Sequence, residues 1–295
     1  MNENLNSEKA KSVIWVVSFP KSGNTWVQAV VRGAGRSYGF PAADLDVYKM
    51  KAENRQPSVV RGIQKGVSRG RTTVLKTHSG YLENQEIHPE LGLKTVGFVY
   101  VMRNPLDMLL SYINFTRVQY EKRQDDREFQ RTIFSELLGF DRPIPYEKWV
   151  ETKLEDIPRK NLDHALSRFA ELETAIPGMR NMTKGGWLEH CMSWRKASET
   201  LPSVIFRYED LLMGPESFIP LQRLFIFSAE EITAAAEKVD QGLRALQGKK
   251  IFFNKMSAYY FPEYFSPDVV RKFLDKFEIE LKLLGYGNLF EKVPG

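Results

Sequence analysis

The fold is decided by the stretch VIWVVSFPKSGNTW, residues 13–26. Its β-branched and aromatic beginning is typical of a buried strand in a parallel sheet. Pro20 ends that strand, and Gly23 allows the tight turn that follows. From Trp26 to Val31 the apolar residues recur at three- and four-residue spacing, which predicts a helix.

A strand, a tight turn and a helix in this order form a candidate anion site. The unpaired backbone N–H groups at the start of the helix point at one spot, and the helix dipole and Lys21 add positive potential there. The Walker A spacing GxxxxGK[ST] is absent, because here the lysine precedes the glycine. A second interpretation stays open, in which the turn is ordinary and Lys21 is solvated.

Length and composition indicate one globular domain. The chain has 295 residues, 42% of them hydrophobic, and its single cysteine, Cys191, suits a reducing cytosol. No apolar run approaches the roughly 20 residues of a membrane span, and residues 1–11 lack the apolar core of a signal peptide. We therefore expect a cytoplasmic protein with no membrane span, a flexible N-terminus at residues 1–12 and a single domain at residues 13–290.

The charge pattern identifies no polymer partner. A net charge of +5 suits an anionic cosubstrate but also many other proteins. The most basic segment, residues 61–71, is rich in glycine and has no interleaved aromatic side chains, so we expect a solvated loop and no nucleic-acid binding. No cluster of carboxylates, histidines or cysteines has metal-ligand spacing, and no metal site is predicted.

Three further strands are predicted, at residues 73–76, 94–102 and 203–208, with helical patterns between them. Strands that alternate with helices predict an α/β fold, in which a central parallel sheet is covered by helices on both faces. In such sheets the ligand lies at the carboxyl ends of the strands. Polar residues follow all four strands, so we expect them to face one crevice.

The groups at these strand ends suit group transfer. A neutral imidazole at His78 can take a proton from an acceptor hydroxyl at physiological pH, although a structural histidine is the alternative. Lys76, two residues earlier on an extended chain, points to the same side and can offset charge on a transferred group. Arg103 carries a planar fork of donors that matches a phosphate.

Three motifs resemble those of the sulfotransferases that use 3′-phosphoadenosine 5′-phosphosulfate (PAPS), in their cytosolic and bacterial soluble form. The string SFPKSGNTW at residues 18–26 is similar to that family's phosphosulfate-binding loop and differs from it at Asn24. The string KTH at residues 76–78 resembles the setting of its catalytic histidine. The string RNPLD at residues 103–107, followed by Ser111, resembles its signature for the 3′-phosphate.

The resemblance implies a P-loop-like phosphosulfate-binding loop and transfer of the sulfuryl group from PAPS to a hydroxyl of a small molecule, glycoside or lipid, with release of adenosine 3′,5′-bisphosphate. It implies that His78 is the general base and that Lys21 and Lys76 offset charge on the leaving phosphate and the transferred group. The nucleotide contacts that it implies are Lys21, Ser22, Gly23, Asn24, Thr25, Trp26, Arg103, Ser111, Tyr208 and Lys255.

Some of these assignments have alternatives. Trp26 either lies against the adenine or packs in the core, and Tyr208 resembles a second adenine contact. Glu209 is interpreted as part of a strand end and helix cap, and His190 as structural. Near the C-terminus the family's Arg-Lys-Gly flap is replaced by Asn-Lys-Met at residues 254–256, so only the lysine carries over.

Two other functions remain open at this point. A P-loop-type kinase that uses ATP would share the layout, but it predicts magnesium dependence and a Walker A loop. A non-catalytic nucleotide-binding protein would not need His78. Within the family, sulfation followed by elimination would give an alkene.

The acceptor and the oligomeric state are not predicted. The acceptor pocket is expected in the divergent segments 35–72, 112–182 and 251–265. Their many aromatic residues favour an apolar or aromatic acceptor, or they build an ordinary core.

Overall fold

The computed structural model of the protein describes residues 11–35, 72–81, 93–179, 183, 185–246 and 256–293. A short helix predicted near residues 42–51 and the basic loop predicted at residues 61–71 lie outside these ranges, as does most of the N-terminal segment 1–12.

A four-stranded parallel sheet forms the centre of the structure, in the order β2-β1-β3-β4. The strands are β1 (Lys11–Ser18), β2 (Thr73–Thr77), β3 (Leu93–Met102) and β4 (Ser203–Arg207). The predicted α/β class and parallel sheet are confirmed. The first strand begins at Lys11, two residues before the apolar pattern does.

Alternate side chains of β1 enter two separate cores, as the two-residue period of a strand requires. Val13, Trp15 and Val17 lie in one core, and Ile14 and Val16 lie in the other. Each face of the sheet is therefore covered, which explains why the strand sequence is apolar throughout rather than alternating.

The described residues form ten α-helices, which lie between and after the strands. Their bounds are α1 (Asn24–Ala34), α2 (Pro105–Glu121), α3 (Arg127–Gln130), α4 (Tyr146–Glu151), α5 (Arg159–Glu171), α6 (Trp187–Ala197), α7 (Tyr208–Leu211), α8 (Ala229–Leu246), α9 (Pro267–Lys276) and α10 (Glu278–Leu283). A π-helical segment covers Arg131–Leu137, and 3₁₀ segments cover Leu154–Asp156, Pro215–Arg223, Phe261–Glu263 and Gly287–Lys292.

The amphipathic pattern of the sequence predicts one helix over about residues 268–284, but the structure has two helices there. Phe277 separates α9 from α10, with φ −115° and ψ 24°, and its side chain is buried. The break lets apolar residues on both sides of it enter one core, which the amphipathic pattern alone does not reveal. Within the part of the chain that the structure describes, no helix has the length and apolar character needed to cross a membrane.

Candidate active site

Residues from all four strand ends meet at the carboxyl edge of the sheet. The Arg103 guanidinium, which follows β3, donates to the Lys21 carbonyl after β1 at 3.3 Å. It also lies 4.4 Å from the centre of the Tyr208 ring, which follows β4. His78, after β2, contacts the Ser18 carbonyl at 2.7 Å. The strand-end residues that the sequence predicts to share one crevice therefore lie beside one another.

The turn between β1 and α1 has a strained backbone. Lys21 has φ 71° and Gly23 has φ 102°, both in the left-handed region. A Cβ on Gly23 would lie 2.7 Å from a carbon of the Tyr208 ring, so the turn needs glycine both for its conformation and for this close approach. Ser22 is fully buried, whereas Thr25 is exposed.

Replacement of Gly23 by alanine is therefore expected to destabilise the protein by at least about 1–2 kcal/mol, the usual cost of a left-handed L-residue, with a further cost from the clash with Tyr208. Urea unfolding measures the change. Gly242→Ala is the matched control, because that glycine lies inside α8 and an added Cβ there meets nothing within 4 Å. It should stabilise the protein by about 0.5–1 kcal/mol. Equal changes in both variants would contradict this account of the turn.

Asn24, the residue at which the loop departs from the family string, joins two strands. Its buried side-chain amide donates to the Val16 carbonyl at 3.2 Å and to the Thr77 carbonyl at 3.4 Å. It therefore ties the start of α1 to the ends of β1 and β2, next to His78. Sequence analysis assigned Asn24 only to the nucleotide and missed this role.

Lys21 lies among other cations. Burial of its ammonium group is the main cause that lowers its pKa to about 7, followed by the like charges of Arg103 and Lys76. Its Nζ is 4.2 Å from the centre of the Phe115 ring on α2. An anion bound between these three cations would relieve their repulsion, so the arrangement favours a negatively charged ligand.

His78 is oriented through its backbone neighbours. Its Nδ1 lies 2.7 Å from the Ser18 carbonyl oxygen, which can only accept, so the neutral ring carries its proton on Nδ1 and a lone pair on Nε2. The His78 carbonyl in turn accepts from Nε2 of His190 at 3.2 Å. A buried imidazole held in one tautomer in this way is suited to accept a proton.

Arg103 is buried and remains charged. Desolvation alone would lower its pKa, but interactions with Tyr260, Tyr208, Asp107 and Glu209 outweigh that effect and raise it. Its Nη2 donates to the Ser257 carbonyl at 3.4 Å and to the Tyr260 hydroxyl at 3.3 Å. Its Nε is a buried donor that has no hydrogen-bond partner within the described residues, which fits a phosphate contact.

Asp107 connects the start of α2 to the C-terminal segment. Its carboxylate accepts the backbone N–H of Tyr259 at 2.6 Å and that of Phe261 at 3.0 Å. Asn104 caps α2, because its side-chain oxygen accepts the Asp107 N–H at 2.8 Å. The Asp107 carboxylate accepts from the Asn104 side-chain amide at 2.9 Å, and the Asn104 backbone N–H donates instead to Glu209 at 2.8 Å. Burial raises the pKa of Asp107 despite the nearby charge of Arg103. Glu209 therefore holds the capping residue of α2, accepting from both the backbone and the side-chain nitrogen of Asn104.

Two further predicted site residues, Ser111 and Trp26, are described by the structure. Ser111 is half-buried, two turns into α2. Trp26 is buried, with its ring centre 5.9 Å from that of Tyr208 and 5.5 Å from that of Phe218, so the structure places it in the core. Lys255 lies outside the described residues. Within those residues, no three His, Cys, Asp or Glu side chains come together as a metal site would require.

Comparison with known proteins gives matches of three kinds. The family described as "Sulfotransferase domain" matches residues 11–280. Human sulfotransferase 1C2 is 26% identical over 108 residues, which are 36% of this chain and 36% of that protein. Luciferin sulfotransferase of Photinus pyralis is 28% identical over 149 residues, which are 44% of this chain and 40% of that protein. The alignments thus span two fifths or less of these relatives.

A solved structure shares the fold. Mouse sulfotransferase SULT7A1, crystallised as a complex with PAP, superposes with a TM-score of 0.54 at 14% identity, over 96% of this chain and 88% of that one. At 14% identity the superposition supports only a shared fold. The assignment of the chain to a family rests on the family match. With a match that runs from the first strand to α10, the chain belongs to the sulfotransferase family.

Proposed function

We propose that the protein transfers the sulfuryl group of PAPS to a hydroxyl of a small-molecule acceptor and releases adenosine 3′,5′-bisphosphate. The observation that carries the proposal is the meeting of Lys21, Lys76 and Arg103 beside a histidine held as a base. PAPS, when bound, supplies a sulfuryl group on a phosphate leaving group. Both ends of such a molecule are anionic, and they suit the cations near the carboxyl ends of β1, β2 and β3.

Each of several residues has its own role in the proposed transfer. His78 Nε2 accepts the proton of the acceptor hydroxyl, and the Ser18 carbonyl stabilises the ring cation that results through its bond to Nδ1. Lys21 and Lys76 offset negative charge at the transferred group and the leaving phosphate. Arg103 holds the distant phosphate of the nucleotide, and Tyr208 stacks on its guanidinium.

An acceptor with apolar or aromatic surface is the class that we propose. Phe115 lies against the Lys21 ammonium group, so an aromatic wall is present within the site. This supports a ring-bearing hydroxyl compound, such as a phenol, over a strongly charged acceptor. A panel of phenols, aliphatic alcohols and sugars offered with PAPS tests this choice, and turnover confined to sugars would contradict it.

Calorimetric titration with adenosine 3′,5′-bisphosphate and, separately, with ATP–magnesium tests the proposed cosubstrate. We expect the bisphosphate to bind and ATP–magnesium to bind at least tenfold more weakly, roughly the 1.4 kcal/mol that one matched charge contact contributes. Preference for ATP–magnesium would favour a kinase. Binding of the bisphosphate without turnover of PAPS, across the acceptor panel, would favour a non-catalytic nucleotide-binding protein.

Proton uptake on binding is a further expected result. With a pKa of about 7, Lys21 is about nine-tenths neutral at pH 8, and a bound anion raises that pKa. Binding of adenosine 3′,5′-bisphosphate at pH 8 should therefore take up close to one proton, and its affinity should fall as pH rises from 7 to 9. Calorimetry in two buffers of different ionisation enthalpy measures the uptake.

Lys21→Arg is the control for this measurement, because arginine keeps its proton throughout that range. Its complex should form with almost no proton uptake. Equal uptake in the wild type and in Lys21→Arg would show that another group takes up the proton.

A further inference from the structure

One face of α6 holds the turn that carries His78. Nε2 of His190 lies 3.2 Å from the carbonyl oxygen of His78, and Nε1 of Trp194 donates to the carbonyl of Ser79 at 3.0 Å. Residues four apart share a helix face, so two consecutive carbonyls are bound from one helix. The turn after β2 therefore depends on α6 for its position.

The proton positions in this network follow from burial. Burial holds the pKa of Tyr100 well above its usual value, so its hydroxyl keeps its proton and can donate to Nδ1 of His190, 2.8 Å away. Burial also lowers the pKa of His190 to about 3, and the nearby charge of His78 adds to that effect. The His190 ring is thus neutral, accepts at Nδ1 and donates from Nε2 to the His78 carbonyl.

Cys191 completes the group. Its Sγ lies 3.2 Å from the Tyr100 oxygen. The Tyr100 hydroxyl is the donor in this contact as well, and it is longer than the 2.8 Å contact to His190. Burial raises the pKa of the Cys191 thiol to about 12, so the thiol stays protonated. The buried group therefore runs from Tyr100 through His190 to the backbone of His78.

We propose that His190 is a positioning residue for His78: it fixes the backbone at residue 78, so that the His78 ring stays bound to the Ser18 carbonyl with its lone pair on Nε2. The role of this lone pair as a base rests on the function proposed above. A neutral His190 also matters for charge, because a protonated ring there would repel the imidazolium that His78 becomes when it accepts a proton.

Nitrogen NMR on protein labelled with ¹⁵N in its histidines tests the proposal. The chain has four histidines, so long-range ¹H–¹⁵N correlations can resolve each ring and show which nitrogen carries the proton. Loss of a signal in His78→Gln or in His190→Phe assigns the two rings. In the wild type we expect His78 protonated on Nδ1, and His190 protonated on Nε2 and neutral from about pH 5 to about pH 9.

In His190→Phe, His78 is expected to lose its single tautomer and show averaged nitrogen shifts. His190→Gln, which keeps a donor for the His78 carbonyl, should restore most of the Nδ1–H form. Ser198→Ala is the matched control, because Ser198 caps the far end of the same helix and its hydroxyl donates to the Arg195 carbonyl at 2.6 Å. It should leave both rings as in the wild type.

Binding of adenosine 3′,5′-bisphosphate, measured by calorimetry, should stay within about twofold in these variants, because Arg103 and Lys21 lie on other strand ends. With an acceptor found in the panel, kcat of His190→Phe should fall about 10-fold to 100-fold while KM for PAPS is unchanged. If His190→Phe does not fold, Tyr100→Phe is the variant that tests the positioning role. It removes the hydroxyl that donates to Nδ1 of His190, so both His190 and His78 should show mixed tautomers.

A pure Nδ1–H form of His78 in His190→Phe or Tyr100→Phe, with bisphosphate binding intact, would overturn the positioning role and leave the proposed function standing. If the wild type binds no bisphosphate and turns over no acceptor, the proposed function fails. The NMR result still reports on the network in that case, so the two failures can be told apart.

Discussion

Arg103→Ala is expected to weaken binding of adenosine 3′,5′-bisphosphate by about 10²–10³-fold, the effect of removing one partner of a buried, charged hydrogen-bonded pair, roughly 3–4 kcal/mol. This large effect is expected because Arg103 is buried, charged, and held beside the turn between β1 and α1 by its bond to the Lys21 carbonyl. Calorimetric titration of the variant measures the loss.

Removal of this guanidinium also removes a buried positive charge that interacts with two carboxylates, Asp107 and Glu209, so the alanine variant is expected to be less stable. Arg103→Lys separates the two effects. It keeps the charge but loses the planar fork and the stacking on Tyr208, so it should fold and bind with an intermediate loss.

Arg168→Ala is the control for these variants, since Arg168 lies on α5 and its ion pair with Glu171 is on the surface. Its affinity for the bisphosphate should equal that of the wild type. Wild-type affinity in a well-folded Arg103→Ala would remove Arg103 from the nucleotide site.

His78→Gln is expected to lower kcat by about 10²–10⁴-fold, which is the usual contribution of a general base. Binding of the bisphosphate should change little, because the cations that bind it remain. Glutamine can still place an amide donor near the Ser18 carbonyl, so the turn should keep its shape while the proton acceptor is lost. Single-turnover measurement with PAPS separates the chemical step from product release.

His164→Gln is the control for His78→Gln. This histidine lies on α5 beside Gly139, away from the residues at the strand ends. It should keep full turnover. Comparable losses in the two variants would indicate a general effect on folding rather than a base at His78.

Local patterns in the sequence predict the frame of the molecule well. The apolar run before Pro20 and the run at residues 94–102 each specify a strand, and the Asn104-Pro105 pair specifies the start of α2. These signals depend on neighbours in sequence, so they can be recognised without the fold. The strand-end residues then follow from the rule for parallel sheets.

Contacts between distant parts of the chain could not be predicted. Glu209 binds Asn104 across 105 residues, and Asp107 binds the Tyr259 N–H across 152. A carboxylate in the sequence shows only that it can accept a hydrogen bond, and the fold decides which donor it meets. The same holds for His190, whose partners are Tyr100 on β3, 90 residues away, and His78 just after β2, 112 residues away.

The span of the Arg103 contacts has a consequence for biosynthesis. Arg103 reaches Ser257, 154 residues later, so a ribosome that adds roughly 5–20 residues per second makes the two ends of this contact about 8–30 s apart. During that interval a nascent chain carries Arg103 and Asp107 without their C-terminal partners. The proposed nucleotide site should therefore mature late, after the sheet that supports it.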